Sequence, residues 1–383
     1  MKRLNVKELL EIKENVKKEL SKKVDIRIAK FDHHALRPPR PCGITIHVGI
    51  GCPNACIYCY IGDMGFPVST TTPYHLSPEE LVYALAANRY FFPSRLGTFV
   101  AFGSVTEPFV DPLKEKTFSY MYSISQWLGN PIQFSTKMYL SNEDVKKLLE
   151  IEKISGSRIS PLITIITIGL SHILEPKAPS IDKRLETMRN LKSNGINPVL
   201  FLRPIIPGVT DLEMEEIMRK AHQNGAIGVV IGSLRVTSGI LKRLKSSGID
   251  IKEITRRLKH KVKEHKQISV PSKDLKKKAI NTARTLGLIV FPSACCANAL
   301  TNDVACAGCC FLKNMCLNCP NNCITKLPEI TEDDVFLLFD SVARKKPKSI
   351  RVLQDAVEVK IGNVDKTSLR VISSILRRRV KIL

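Results

Sequence analysis

The stretch Ile44-Thr45-Ile46-His47-Val48-Gly49-Ile50-Gly51-Cys52-Pro53-Asn54-Ala55-Cys56-Ile57-Tyr58-Cys59-Tyr60 decides the reading of this chain. Its first five residues are rich in β-branched side chains and read as a strand. The strand runs into a loop whose cysteines are spaced C-x3-C-x2-C, and no further cysteine follows until Cys295. Three thiolates on one short loop can ligate three irons of a four-iron, four-sulfur cluster. The fourth iron then lacks a protein ligand and stays open for chemistry, as a catalytic zinc keeps one position open. A structural zinc wants four ligands, which Cys52, Cys56 and Cys59 alone do not supply.

Outward from this loop, short apolar runs alternate with helical segments. Strands are expected at Thr98–Phe102, Ile132–Ser135, Leu162–Ile168, Val199–Leu202 and Ile227–Ile231. Helix starts are marked by Ser77-Pro78-Glu79-Glu80, which can form a capping box with proline at the first helical position, and by Ser141, Ser180 and Asp211. Strict β/α alternation implies a parallel sheet with helices outside. Six units predict an α/β fold, a partial (β/α)6 TIM-type barrel, whose site lies at the C-terminal strand ends. The cysteine loop follows the first strand and falls on that side.

The cysteine spacing, with Tyr58 before the third cysteine, resembles the radical S-adenosylmethionine (SAM) enzymes. Further motifs resemble the spore photoproduct lyase-like (DNA repair photolyase-type) branch of that superfamily. They are Gly103-Ser104-Val105-Thr106-Glu107-Pro108, Ser135-Thr136-Lys137, Glu175-Pro176-Lys177-Ala178-Pro179-Ser180-Ile181-Asp182-Lys183-Arg184-Leu185 and Arg203-Pro204-Ile205-Ile206-Pro207-Gly208. Together they span about Ile44 to Gly232. The resemblance implies a [4Fe–4S] cluster on Cys52, Cys56 and Cys59, SAM on its open iron, and a cellular electron donor to reduce the cluster. It implies Glu107 for the SAM amino group, Lys137 for its carboxylate, and Thr164 or Thr167 for its ribose. Arg203 is a second carboxylate partner or a loop pin. Tyr58 and Tyr60 match tyrosines beside the lyase cluster, so Tyr60 is a candidate radical relay alongside a packing role. Ser104 stands where the lyase has the cysteine that returns a hydrogen atom. A hydroxyl is a far poorer hydrogen-atom donor than a thiol, which argues against that repair relay here.

The resemblance does not cover the C-terminal cysteines, Cys295, Cys296, Cys306, Cys309, Cys310, Cys316, Cys319 and Cys323. Cys306/Cys309 and Cys316/Cys319 are C-x2-C pairs, Cys323 lies just beyond, and Pro320 follows Cys319 as proline follows a ligand cysteine in bacterial ferredoxins. A small cysteine-rich metal-binding domain is expected, with a second iron–sulfur cluster on Cys306, Cys309, Cys316, Cys319 and Cys323 favoured over a structural zinc. The expected divisions are 1–42, a basic helix and extended lead-in carrying His33, His34, Arg37 and Arg40; 43–290, the barrel; 291–330, the cysteine-rich domain; and 331–383, a basic α/β tail ending in Arg377-Arg378-Arg379.

The 383 residues carry a net charge of +23, which favours a polyanionic partner. Lys252–Gln267 reads as a basic helix, either solvated or in contact with nucleic acid. No apolar run reaches the roughly 20 residues of a membrane span. Met1–Val24 reads as an amphipathic helix, not a signal peptide, and clustered cysteines suit the reducing cytoplasm. Hydrogen abstraction from nucleic acid, DNA or structured RNA, is therefore the leading expectation. The alternatives are a radical SAM enzyme acting on a protein or small molecule, and a non-catalytic iron–sulfur or zinc protein that binds nucleic acid. The oligomeric state is not legible.

Overall fold

The computed structural model describes residues 2–40, 42–264, 266–306 and 319–383. Seven strands build the central sheet: β1 (Ile44–Ile46), β2 (Val100–Phe102), β3 (Ile132–Thr136), β4 (Ile159–Thr164), β5 (Val199–Ile205), β6 (Gly228–Ser233) and β7 (Ile289–Phe291). They lie in chain order and every neighbouring pair is parallel. A parallel sheet covered on both faces has no solvated side, so its strands read as apolar runs. All six residues of β4 are buried.

The sequence anticipates six of these strands. The seventh extends the sheet beyond the expected six units, and the sheet stays open, with β1 and β7 at its edges. The expected strand at Leu162–Ile168 lies earlier, at Ile159–Thr164. The crossover helices that cover the convex face are α2 (Pro78–Ala87), α3 (Lys114–Trp127), α4 (Asn142–Ser155), α5 (Ile181–Ser193), α6 (Thr210–Gln223) and α8 (Lys273–Thr285), with α7 (Ser238–Ser246) near the cysteine loop. Their starts follow the expected caps. Ser77 accepts from the Glu80 amide and Ser141 from the Asp144 amide, each in a reciprocal capping box.

Side chains alternate across the sheet. Ile132, Phe134, Leu200 and Leu202 face the helices. Leu162, Val199, Val230 and Phe291 face the concave side, where they pack with Cys295, Cys296, Cys306 and Cys323. The helix α9 (Ala294–Thr301) is docked there by the Gln133 amide, which donates to the Ala294 carbonyl at 2.9 Å. Asn302, just past α9, accepts from the Arg158 amide at 2.8 Å, immediately before β4. Cys295, Cys296, Cys306 and Cys323 therefore lie toward the amino-terminal end of the concave face.

The N-terminal helix α1 (Val6–Leu20) joins two cores. Val16 and Leu20 enter the main one, while Val6 and Leu9 pack with Val335, Leu338 and Val357 near the carboxyl terminus. That second core holds α10 (Glu332–Leu338), α11 (Lys366–Leu376) and a sheet ordered β8 (Ser349–Val352), β9 (Ala356–Lys360), β10 (Arg379–Ile382).

Two expectations about basic segments need correction, and a third segment gains detail. Among the described residues of the basic stretch, helix covers Lys252–Arg257, and Lys259, His260, Lys261 and Lys263 would crowd like charge onto further turns. In the basic end Arg377-Arg378-Arg379, the first two arginines turn inward. Both are buried, with guanidinium groups donating to backbone carbonyls of Gly97 and Pro328. The lead-in is not wholly extended: His33–Leu36 is a short helix, and His34 is fully buried between Asp32 and the His47 amide. Among the described residues no helix is long and apolar enough to cross a membrane.

Candidate active site

The C-terminal ends of β1 to β4 open onto a cavity of about 110 Å³. Cys52, Cys56 and Cys59 line one side of it, and Ser104, Glu107, Lys137 and Thr164 line the other. Each of the second group sits on or just after a strand, so the parallel topology brings them to one mouth. Gly103 closes β2 with φ +94°, and a Cβ there would lie 2.4 Å from the Ser135 carbonyl oxygen. Glycine is required for that turn and for the close approach of the neighbouring strand.

Two polar networks fix the wall opposite the cysteines. Glu107 is buried, accepts from the Thr136 hydroxyl, and accepts from the Lys137 amide at 3.0 Å. Burial holds its carboxyl above the usual range despite these bonds. Glu175, also buried, accepts from the Tyr58 hydroxyl and the Arg184 guanidinium, and its carboxylate lies 3.8 Å from Lys137 Nζ. Burial works against the Lys137 ammonium, but Cys56 and Glu175 outweigh it and raise its pKa. Burial pushes the Cys52 thiol up to about 11, aided by Glu107, and Cys56 up to about 12.

The cysteine loop is braced from outside. Arg243 on α7 donates to the carbonyls of Ile57 (3.1 Å) and Cys59 (2.8 Å) and pairs with Asp63 at 2.9 Å. Nothing in the sequence links Arg243 to a loop so far away. Glu175 and Arg184 were legible as motif residues, but not as the anchor of Tyr58 and Lys137.

Other expected residues fall in different places. Thr164 lines the cavity, whereas the Thr167 hydroxyl donates to Glu213 on α6 at 2.6 Å. Tyr60 lies at the rim and donates to the Ser104 carbonyl at 2.9 Å. Arg203 lies on β5 on the concave face, outside the residues lining the cavity. Cys306, Cys319 and Cys323 lie together on the concave face, with Cys323 Sγ 3.3 Å from the Cys306 amide. Cys309 and Cys316, with Cys310, lie outside the described residues. Among the described residues, no three His, Cys, Asp or Glu side chains converge closely enough to hold a single metal ion. A four-iron cluster takes each thiolate on a separate iron and does not ask for that convergence.

Residues 46–221 match the model of the radical SAM superfamily. An uncharacterized protein of Methanocaldococcus jannaschii is 27% identical over 189 residues, which cover 44% of this chain and 62% of that protein. The chain thus spans about three fifths of the length of that curated relative. Among solved structures, a spore photoproduct lyase mutant with dinucleoside spore photoproduct aligns with a TM-score of 0.53 at 18% identity, over 69% of this chain and 79% of that one. A lyase mutant with bound AdoMet and dinucleoside spore photoproduct aligns with a TM-score of 0.53 at 17% identity, with the same coverage. At these identities the likeness is one of fold.

Proposed function

We propose that this chain, whose residues 46–221 match the radical SAM superfamily model, is a radical SAM enzyme that abstracts hydrogen from a nucleic-acid substrate held at the C-terminal strand ends of its open sheet. One observation carries the cofactor assignment: Cys52, Cys56, Cys59, Glu107, Lys137 and Thr164 line a single cavity at the strand ends. Three thiols face two groups of the right sign for an amino acid moiety, so the residues fit a [4Fe–4S] cluster with SAM. When bound and reduced by a cellular electron donor, that pair supplies a 5′-deoxyadenosyl radical for hydrogen abstraction.

The chain's own residues prepare the site. Cys52, Cys56 and Cys59 hold the irons, and because burial keeps Cys52 and Cys56 protonated at neutral pH, loading must displace their protons. The Lys137 ammonium beside Cys56 offsets the resulting negative charge, and Tyr58 with Glu175 keeps Lys137 in position. Glu107 takes the SAM ammonium, Lys137 its carboxylate, and Thr164 the ribose. Ser104 lies exposed at the mouth and offers a hydroxyl, so hydrogen return through a thiol at that position is not part of this mechanism. Tyr60, bonded to the Ser104 carbonyl, is the candidate relay.

The charge of +23 favours nucleic acid over a protein or small-molecule substrate. A target base would have to be unstacked or extruded to reach the cavity. The C-terminal cysteines hold a second metal centre, an iron–sulfur cluster in preference to zinc, and reduced thiols for both centres suit the cytoplasm. The domain divisions expected from sequence are retained as part of this proposal.

Anaerobic reconstitution with iron, sulfide, reductant and SAM tests the core of it. The wild-type chain should form 5′-deoxyadenosine, and Cys52→Ala, Cys56→Ala or Cys59→Ala should abolish it. Full SAM cleavage by the triple-alanine chain would refute the assignment.

A further inference from the structure

The net charge of +23 does not say which cations meet a substrate, but the pairing pattern sorts them. Arg37 bonds His47 and the Thr45 carbonyl. Arg256 pairs with Glu253, and Arg257 with Glu253 and Asp274. These are engaged within the fold. Among the described residues Arg40, Lys259, Lys263, Arg203, Arg235 and Lys276 form no side-chain hydrogen bond or ion pair, and what sets the last three apart is their place at the strand ends.

The topology brings these three together. Phe201 on β5 packs on the concave face, so Arg203, two residues on, points the same way. Its side chain crosses β6 at Gly232, where an added Cβ would lie 2.5 Å from Arg203 Cδ. Glycine at 232 is what lets Arg203 lie flat over the neighbouring strand. Arg235 follows just beyond the end of β6 and is exposed. The Ser272 hydroxyl donates to Ser233 at 2.7 Å, which brings the start of α8 to the same strand end. Lys276 lies one turn into that helix, on the face of Ser272. The cations influence one another: burial and then Arg235 depress the pKa of Arg203, and burial and then Arg203 depress that of Lys276. Both arginines also bear on Tyr60, whose hydroxyl bonds the Ser104 carbonyl at the cavity wall.

Three like charges at one strand end, with no ion-pair partner among the described residues, repel one another, and a ligand that supplies negative charge relieves that repulsion. We infer that Arg203, Arg235 and Lys276 form a phosphodiester-binding subsite, which anchors a nucleic-acid backbone while the adjoining base enters the cavity beside Tyr60. The inference rests on the nucleic-acid reading above and adds where the strand lies: along the ends of β5 and β6, on the side of the cavity away from β1. Phosphate contacts position a strand without reading its sequence, so this subsite sets the register of the target base.

The test is a salt titration of the full reconstituted chain by fluorescence anisotropy, with a labelled duplex DNA and its single strand as probes. Arg203 stays intact, and Arg235→Gln/Lys276→Gln is compared with wild type and with Arg235→Lys/Lys276→Arg. Each phosphate contact contributes about 0.9 to the slope of log affinity against log salt on duplex, and about 0.7 on a single strand. The Gln double variant should therefore lose roughly 1.8 from the duplex slope or roughly 1.4 from the single-strand slope. The charge-preserving variant should keep the wild-type slope. SAM cleavage without nucleic acid should be unchanged in all three, which establishes that they are folded. A wild-type slope in the Gln variant overturns the subsite and leaves the nucleic-acid reading standing. Unchanged nucleic-acid binding with a raised KM for SAM assigns these cations to SAM and overturns the subsite as well. Absence of wild-type binding to either probe at low salt overturns both the subsite and the nucleic-acid reading.

Discussion

Replacing Glu175 with Gln should be among the most damaging single changes in this chain that touch no cysteine. The Glu175 side chain is wholly buried, and the Arg184 guanidinium bonded to it is 1% exposed. Lys137 lies 3.8 Å away and is 16% exposed. A glutamine keeps the shape and can still accept from Tyr58, but it leaves the buried guanidinium without a counter-charge. Removing one partner of a buried ion pair costs about 3–5 kcal/mol. The assay is urea unfolding of the cluster-free chain, reading the midpoint at unchanged slope. Because the pair is shielded from solvent, the loss should persist in 1 M salt, where the screening length is only about 3 Å. The more exposed pair Lys183–Glu186, at 2.8 Å, serves as the contrast, and Glu186→Gln should leave the midpoint nearly unmoved. A loss under about 1 kcal/mol for Glu175→Gln, or one that salt erases, would refute the argument that burial makes this pair matter.

Three further outcomes follow from single features. Gly103→Ala places a Cβ 2.4 Å from the Ser135 carbonyl at φ +94°, so it should weaken SAM binding and lower the melting temperature; a variant that matches wild type in both would mean the β2 turn can relax. Lys13 is buried against the carbonyls of Asn88 and Phe91, and burial brings its pKa down to about 7. The unfolded chain then holds one more proton than the native chain between pH 7 and the ordinary lysine value. Stability relative to Lys13→Met should therefore rise with pH above 7 by up to about 1.4 kcal/mol per unit, and a flat difference would contradict the burial argument. With Cys52, Cys56 and Cys59 all changed to Ala, iron and sulfide should still be present by elemental analysis and should disappear on adding Cys306→Ala and Cys323→Ala; stoichiometric zinc in their place would identify the second centre as structural.

The sheet was legible because parallel strands require crossover helices, and the crossovers announce themselves. Ser77-Pro78-Glu79-Glu80 and Ser141 mark helix starts through local hydrogen bonds that need only residues three apart. The strand β7 was not legible, since Ile289–Phe291 is three residues long and is recognisable only by its pairing with Gly228–Val230. The placement of β4 was shifted because apolar residues recur from Ile159 to Ile168, broken by Ser160, Thr164 and Thr167 at intervals that match no single period and so do not fix the strand's ends. The cavity residues could be named from motifs, for the same topology that orders the strands also brings their C-terminal ends together.

The supports of the site escaped for a different reason. Arg243 braces the cysteine loop through carbonyls at Ile57 and Cys59, and any residue could offer those carbonyls. No side-chain type on the loop betrays the partner. Surface charge has the same limitation: a sequence counts cations but not which are already neutralised. Arg257 sits in a basic run that invites a phosphate contact, yet Glu253 and Asp274 hold it in place. Arg203 and Arg235 belong to no such run, and among the described residues neither has an ion-pair partner at the strand ends beside the cavity. Pairing and placement together, which a sequence does not display, are what give the positive charge of this chain a direction toward Tyr60.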